Sequence, residues 1–200
     1  KGGGWSFEAL RHINFLLENI SNCPDAAAVR KYTGVAKFFR AHYYFNMVKR
    51  FGDVPWLDHV PGTDDPALYK ARDSRDFVME KGIEDLDGAI RLFKKENSTK
   101  DLYHVTWWTA MALKSRICLF EGTFRKYHGL ADSEKWLRLC VESSDALMNA
   151  TRGYSLYTSG TQPYRDLFTS DNAKSVEGIL ARDYDQSASL PNSVLGTFNT

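Results

Sequence analysis

Apolar residues recur every third or fourth position in five stretches of the chain, the period of helices that each turn one face to a core. The densest stretch is Lys31 to Trp56. There Tyr32, Val35, Phe39, Tyr43, Met47 and Phe51 share one face, and Phe38, Ala41, Phe45 and Val48 line a neighbouring one. Two apolar faces predict a helix packed on both sides, at the middle of an all-helical assembly. Gly52-Asp53-Val54-Pro55 predicts its end, because glycine accepts a left-handed cap and proline cannot extend the hydrogen-bond ladder.

The other elements arrange themselves around this one. Leu10, Ile13, Leu17 and Ile20 form the stripe of a first helix, with Ser6 as its N-cap and Trp5 with Leu10 as a hydrophobic staple. Asn22-Cys23-Pro24-Asp25 then breaks the chain, and Asp25 caps the long second helix. After Pro55, the stretch from Trp56 to Arg72 holds Pro61, Gly62 and Pro66 and no lasting period, which predicts a long loop and the first place to look for binding. Asp73 or Ser74 caps a third helix carrying Met79, Ile83, Leu86, Ile90 and Phe93, with Glu80, Lys81, Glu84, Asp87, Arg91 and Lys94 opposite.

A polar linker from Lys94 to Asp101 leads to a fourth helix that begins at Val105-Thr106. Its stripe is Ala110, Leu113, Ile117 and Phe120, with Trp108, Ala112 and Leu119 beside it, and Gly122 is expected to end it. Phe124 to Leu130 reads as a connection. Asp132 caps a fifth helix in which Trp136, Cys140, Ser143 and Leu147 share a face, and the small Ser143, Ser144 and Ala146 permit a close neighbour. From Arg152 onward the chain is irregular, with one short strand or helix. Helix pairs of this kind predict an all-α, tetratricopeptide-like α-α superhelix with long loops, although no W-x-x-L-G-x-x-Y motif and no strict period appear.

Composition narrows the functional classes. A hydrophobic share of 43% with 26% charged residues is ordinary for a globular chain, and 26 basic against 25 acidic residues leaves a net charge of +1. Nucleic acid and anionic membrane surfaces need clustered positive charge, so neither is expected as a partner on this ground. The 3 cysteines, Cys23, Cys118 and Cys140, are odd in number and lack metal-ligand spacing, and the latter two fall on apolar helical positions where free cysteine packs as a small hydrophobe. No apolar run reaches the length of a membrane-spanning helix. The chain opens on Lys1-Gly2-Gly3-Gly4 without an initiator methionine or signal segment and closes on Leu195-Gly196-Thr197-Phe198-Asn199-Thr200 without a cap, so a portion of a longer protein is expected.

Candidate chemistry is sparse. His12, His42, His59, His104 and His128 are scattered, with no H-E-x-x-H and no conspicuous grouping with carboxylates, and Asp64-Asp65 lacks the order of a calcium loop; no metal site is expected. Glu84, Asp85 and Asp87 are the candidates for a paired-acid glycosidase, but they stand opposite a well-formed apolar stripe and read as a solvated face. Nucleophile motifs and phosphate-cradling glycine loops are missing, so no catalytic residue and no cofactor are expected. Asn19-Ile20-Ser21, Asn97-Ser98-Thr99 and Asn149-Ala150-Thr151 match the short glycosylation pattern without identifying a secreted eukaryotic protein.

Aromatic content of 14% is the more telling feature, with rings at element ends: Trp5, Trp56, Tyr69, Tyr103, Trp107 and Tyr127. An aromatic ring offers an apolar face to the C–H face of a sugar and a polar edge to its hydroxyls, and the same traits suit protein interfaces. Trp108 and Trp136 lie on helix stripes and are expected in the core. Trp5, Trp56 and Tyr69 are the ligand-binding candidates, the latter two because they sit in the long loop.

The order of motifs resembles the SusD/RagB family, the starch-utilisation-type glycan-binding lipoproteins of the Bacteroidetes outer membrane. Arg11-His12-Ile13-Asn14 is similar to that family's I-R-x-x-N, and Ala36-Lys37-Phe38-Phe39-Arg40-Ala41-His42-Tyr43-Tyr44-Phe45 followed by Phe51-Gly52-Asp53-Val54-Pro55 resembles its E-A-x-F-L-R-A-x-Y-Y-F signature and its sequel. Lys37 stands where the family usually has an acid. Arg72 to Arg75 with Glu84-Asp85-Leu86-Asp87-Gly88-Ala89-Ile90 resembles R-x-S to D-L-x-x-A-I. Val105-Thr106 through Phe120, Glu121 through His128, and Glu177-Gly178-Ile179-Leu180 resemble further segments.

The resemblance implies one helical domain over 1–200, the N-terminal portion of a longer protein whose C-terminal part is missing here. It implies a non-enzymatic protein that holds an oligosaccharide for a TonB-dependent transporter of the SusC type, at the outer membrane and cell surface, through a lipid anchor upstream. Arg40 is then a structural anchor. A helical-repeat scaffold for protein or peptide is the alternative, and a glycosidase is a further rival.

Overall fold

Asp25 starts the central helix: its Oδ1 accepts hydrogen bonds from the amides of Ala27 at 2.8 Å and Ala28 at 3.2 Å, satisfying two of the donors that a helix start leaves open. In the computed structural model, which describes residues 5–93, 99–150, 153–170 and 172–182, this helix, α2, runs Ala26–Phe51. Gly52 at φ 70° closes it, a backbone conformation that side-chain-bearing residues rarely adopt. Before it lie α1, Glu8–Asn19, and a 3-10 turn, Ile20–Asn22. After it come α3, Arg75–Phe93, α4, Trp107–Tyr127, α5, Ser133–Met148, and the short α6, Pro163–Thr169. Among the described residues no strand forms; Val54 and Asp73 make an isolated bridge, exchanging backbone hydrogen bonds at 3.2 Å. The glycine run 2–4, residues 94–98 of the polar linker with the Asn97 sequon, Thr151 of another sequon, and the chain's ending 195–200 lie outside the described residues.

Two compact units divide the chain: Lys1–Thr99 with Val105–Gly153, and Lys100–His104 with Tyr154–Thr200. In the first, α2 packs most extensively with α3 and α4 with α5, while α1 lies on α2 and α3 meets α4. These helix pairs make the fold all-α and tetratricopeptide-like. Phe38, Ala41, Phe45 and Val48 of α2 share one core with Val78, Ile83 and Leu86 of α3 and with Ile117, Cys118 and Trp136. Each large apolar side chain so buried contributes about 1.5–3 kcal/mol. In the second unit the Ser155 amide donates to the Val176 carbonyl at 3.1 Å and the Ala181 amide to the Leu102 carbonyl at 2.8 Å.

Four local expectations give way to packing. Phe7, not Ser6, precedes the first turn of α1, because the Ser6 carbonyl accepts the Tyr43 hydroxyl at 2.7 Å and is held outside the helix. Trp5 then rests on Phe51, ring centroids 4.9 Å apart, rather than stapling Leu10, which is in the core. The second face of α2 is only partly covered: Met47 is buried, but Tyr32 and Phe39 stay 48% and 43% exposed. Phe39 lines an open groove between α1 and α2, together with Ala9, Ile13, Tyr43 and Met47. Asp132 precedes α5 but adopts a left-handed conformation, φ 63°, and makes no side-chain cap.

Gly122 does not end α4. The helix runs on to Tyr127, absorbing part of the expected connection, and Leu137 of α5 packs against the glycine so closely that a Cβ there would lie 2.7 Å from its Cγ. The glycine serves close approach, not termination. Beside it Glu121 is fully buried and is held by Arg75 of α3 and by Arg125, whose Nε donates to Oε1 at 2.8 Å. This cluster ties the start of α3 to α4.

Candidate functional site: a cleft walled by the loop after α2

The loop from Trp56 to Arg72 is fastened to the helices by buried polar side chains. Asn14, on the inner face of α1, donates through Nδ2 to the carbonyls of Leu57 at 2.9 Å and His59 at 3.0 Å. Its Oδ1 accepts from Arg40 Nη1 at 3.2 Å, and that same nitrogen reaches the Asp58 carbonyl at 3.3 Å. Behind Arg40 stands Asp85 of α3, which accepts Nε at 2.6 Å and Nη2 at 2.9 Å, with Lys37 Nζ adding a third contact at 2.9 Å. The Tyr44 hydroxyl accepts the Leu57 amide at 2.6 Å and faces the Pro55 carbonyl at 3.2 Å. Burial pushes the Tyr44 hydroxyl well above its ordinary pKa, so it serves as a neutral hydrogen-bonding post. On the other side, Asp73 takes the Trp56 amide at 2.7 Å and the Lys70 ammonium at 2.6 Å. Buried backbone groups of a loop need such partners, and here Asn14, Arg40 and Tyr44 supply them from α1 and α2, with Asp73 just before α3 and Lys70 of the loop itself, whose Nζ donates to the Trp56 carbonyl at 3.2 Å.

Asp85 corrects the sequence reading. The sequence places it on a solvated acidic face, yet it is 3% exposed, because Arg40 and Lys37 compensate its charge across the α2–α3 interface. Glu84 does remain exposed, paired with Lys81, and Asp87 pairs with Lys114.

Between this fastened loop and α1 lies a cleft of about 670 Å³. Phe7, at the start of α1, and Leu10 and Arg11 of that helix form one wall; Leu57, His59, Val60 and Pro61, with Leu68 and Lys70, form the other. A 3-10 turn, Pro66–Tyr69, shapes the far end and is capped by Asp65 Oδ1 on the Ala67 amide at 2.8 Å. A cleft of this size with mixed apolar and charged walls suits a small molecule or a short stretch of polymer.

His59 is grouped with carboxylates after all, a grouping not apparent in the linear order. Its Nδ1 lies 3.1 Å from Asp58 Oδ1 and its Nε2 2.8 Å from Asp65 Oδ2. Hydrogen bonding to Asp58 and then Asp65 raises its pKa above the ordinary 6.5. Asp58 is held below 3.8 mainly by His59, and Asp65 by the Ala67 amide and then His59. The signal was present in sequence as a histidine within an aspartate-rich loop. Among the described residues no set of three histidine, cysteine or acidic side chains is arranged to hold a metal ion.

The three ligand candidates meet different fates. Tyr69 stands on the 3-10 turn with 85% of its surface exposed, between cleft-lining Leu68 and Lys70. Trp56 is 8% exposed, stacked on Tyr44 at 4.3 Å with the Arg40 guanidinium 5.4 Å from its ring, so it packs beneath the loop against α2. Trp5 is half-buried between Phe51 and the Arg72 guanidinium, 5.1 Å from its ring. None of the three lines the cleft itself, although Phe7, Leu57, Leu68 and Lys70 beside them do. Trp107, like Trp108 and Trp136, is buried, while Tyr103 and Tyr127 are exposed.

A SusD-like family described as "starch-binding associating with outer membrane" matches residues 5–119. No curated protein matches the chain in sequence. A SusD-like protein from Bacteroides fragilis NCTC 9343 is 25% identical, with a TM-score of 0.65 over 82% of this chain and 30% of that one. A structure solved with a xylogluco-oligosaccharide is 20% identical, TM-score 0.69, over 90% of this chain and 34% of that one. A laminarin-binding SusD-like protein is 20% identical, TM-score 0.63, over 84% and 34%. The chain thus spans about a third of the length of these solved relatives. Matched over more than half its length, it belongs to the SusD-like family.

Proposed function

We propose that this chain is part of a surface protein that captures an oligosaccharide and passes it to a TonB-dependent transporter of the SusC type, without catalysing a reaction. The observation that carries the reading is the cleft between α1 and the loop, with the ring of Tyr69 exposed at its edge. Support comes from the family's description and from the two relatives, one that binds laminarin and one solved with a xylogluco-oligosaccharide. Tyr69 is the stacking platform in this reading, Trp5 flanks the site, and Trp56 holds the loop from beneath. Arg11 and the loop carbonyls read hydroxyls.

The same proposal puts the protein at the cell surface of the outer membrane, held by a lipid anchor upstream of this stretch, and takes 1–200 as one N-terminal helical portion. Among the described residues no helix is long and apolar enough to cross a membrane. No metal or cofactor enters the binding. The open groove between α1 and α2, with exposed Phe39, favours a second reading, a helical scaffold for a protein or peptide segment.

Isothermal titration of the full-length protein against a panel of glycans at moderate salt tests the first reading. Binding to at least one glycan is expected. Binding of peptides with no glycan bound overturns it in favour of the scaffold.

A further inference from the structure

A neutral imidazole has one N–H and one bare nitrogen, and a carboxylate only accepts. Both nitrogens of His59 nevertheless face carboxylate oxygens, Asp58 Oδ1 at 3.1 Å and Asp65 Oδ2 at 2.8 Å. Only the imidazolium, with two N–H donors, satisfies both contacts; a neutral ring would set a lone pair against an anion. We propose that His59 is a proton-dependent clasp, an imidazolium bridging Asp58 and Asp65 that holds residues 58–65 closed as the outer wall of the cleft.

The clasp spans a stretch with few other ties. The carbonyl of His59 is held by Asn14, and the Val60 amide donates to Glu18 Oε1 at 2.7 Å. Beyond that, the polypeptide between Val60 and Asp65 is held by a turn, the Asp65 amide donating to the Gly62 carbonyl at 3.2 Å. Loss of the Asp65 contact therefore leaves that turn, next to the lining residue Pro61, held by its backbone bond alone.

The surrounding charges do not cancel the effect. From α1, Glu8 and Glu18 add negative charge and Arg11 opposes it, while His12 lines the same cleft. From α2, Arg40 reaches the Asp58 carbonyl but spends its charge on Asp85 of α3, and Lys81 of α3 acts on Asp58 from farther off. Lys70 is committed to Asp73. The two carboxylates in contact remain the dominant neighbours of His59.

The sign follows from the shifts. His59 titrates above its ordinary 6.5, so the clasp is complete below that value and is lost as pH rises through the raised one. Asp58 and Asp65 titrate below 3.8, so the clasp is also lost as pH falls through their lowered values. The wall is closed in the interval between. This inference rests on the proposed function only in taking the cleft as the place where a ligand enters.

The test needs no ligand, so its failure is separate from that of the glycan reading. Imidazole ¹⁵N spectra of the full chain, recorded across pH, should show His59 doubly protonated below 6.5 and titrating above it, with Asp65→Asn and Asp58→Asn each lowering the midpoint. Hydrogen exchange at Asp65, whose amide closes the turn, corrected for intrinsic rates, should lose protection as His59 deprotonates, and His59→Gln should flatten that dependence. A His59 midpoint at or below 6.5, or a midpoint unmoved by Asp65→Asn in a variant whose circular dichroism is unchanged, overturns the clasp.

Discussion

Arg40 and Asp85 lie 45 residues apart in sequence and meet in a two-pronged ion pair, Nε to Oδ2 at 2.6 Å and Nη2 to Oδ1 at 2.9 Å, in the interface between α2 and α3. The remaining guanidinium nitrogen reaches outward to Asn14 and the Asp58 carbonyl. One side chain therefore couples the central helix pair to the loop and to α1. The arrangement explains why a charged residue sits inside the most apolar stretch of the chain: its planar fork supplies donors in three directions at once.

Removing one member of this pair leaves the other charge buried and uncompensated. Asp85→Ala is expected to lower unfolding stability by about 3–5 kcal/mol, whereas Glu84→Gln, on the exposed side of the same helix, should change it by less than about 0.5 kcal/mol. Urea unfolding followed by circular dichroism checks both. Equal, small effects would show that the pair is not the fastening described.

The helices, their partners and the site differ in how far sequence exposes them, and these residues show why. The α2 stripe and Asp25 cap are local, set by period and by one side chain reaching the next turn, and both are legible in the chain. Gly122 and Asp85 are not. Each has a local meaning, a helix stop and a solvated acid, that is overridden by a residue distant in sequence: Leu137 fills the space a Cβ would need, and Arg40 neutralises the carboxylate. His59 is the same case within one loop, since its Asp65 partner is close in number but only the turn brings it to 2.8 Å. Asn14 and Arg40 were visible as motif residues, but nothing in the linear order shows that they hold the loop carbonyls.

Gly122→Ala tests the reading of that glycine as a point of close approach. The added methyl would lie 2.7 Å from Leu137 Cγ and 3.0 Å from its amide nitrogen, so the α4–α5 pair must part slightly. A loss of about 1–3 kcal/mol is expected. Gly82→Ala in α3 is the control, because open space surrounds its would-be Cβ and alanine favours the helix by roughly 0.5–1 kcal/mol. Thermal melts of the two variants should shift in opposite directions.

Cys118 should be chemically silent in the folded chain. It is buried between helices, and burial pushes its thiol up to about 12, so essentially no thiolate exists at pH 8 to attack a disulfide reagent. Titration with such a reagent, read by mass spectrometry of peptides, is expected to label Cys118 only after denaturant is added. Labelling in native buffer at the rate of an unfolded peptide would contradict its place in the core.

Tyr69 and Trp56 are both loop aromatics in the sequence, and the structure separates what their substitution should do. Tyr69 is 85% exposed and packs against nothing that stability depends on, so Tyr69→Ala should leave the melting temperature unchanged while weakening glycan affinity by about 0.5–1.5 kcal/mol, up to roughly tenfold. Trp56, stacked on Tyr44 at 4.3 Å beneath the loop, should behave in the opposite order: Trp56→Ala removes a large buried ring and is expected to cost about 3–5 kcal/mol of stability. Any loss of affinity in that variant then follows from a loosened loop, and it should be accompanied by lost hydrogen-exchange protection at Leu57, whose amide is held by Tyr44. Titration of a binding glycan into the full-length variants, with melts in parallel, separates the two. If Tyr69→Ala binds as tightly as the parent while Trp56→Ala loses only affinity and keeps its stability, the assignment of platform and support must be reversed.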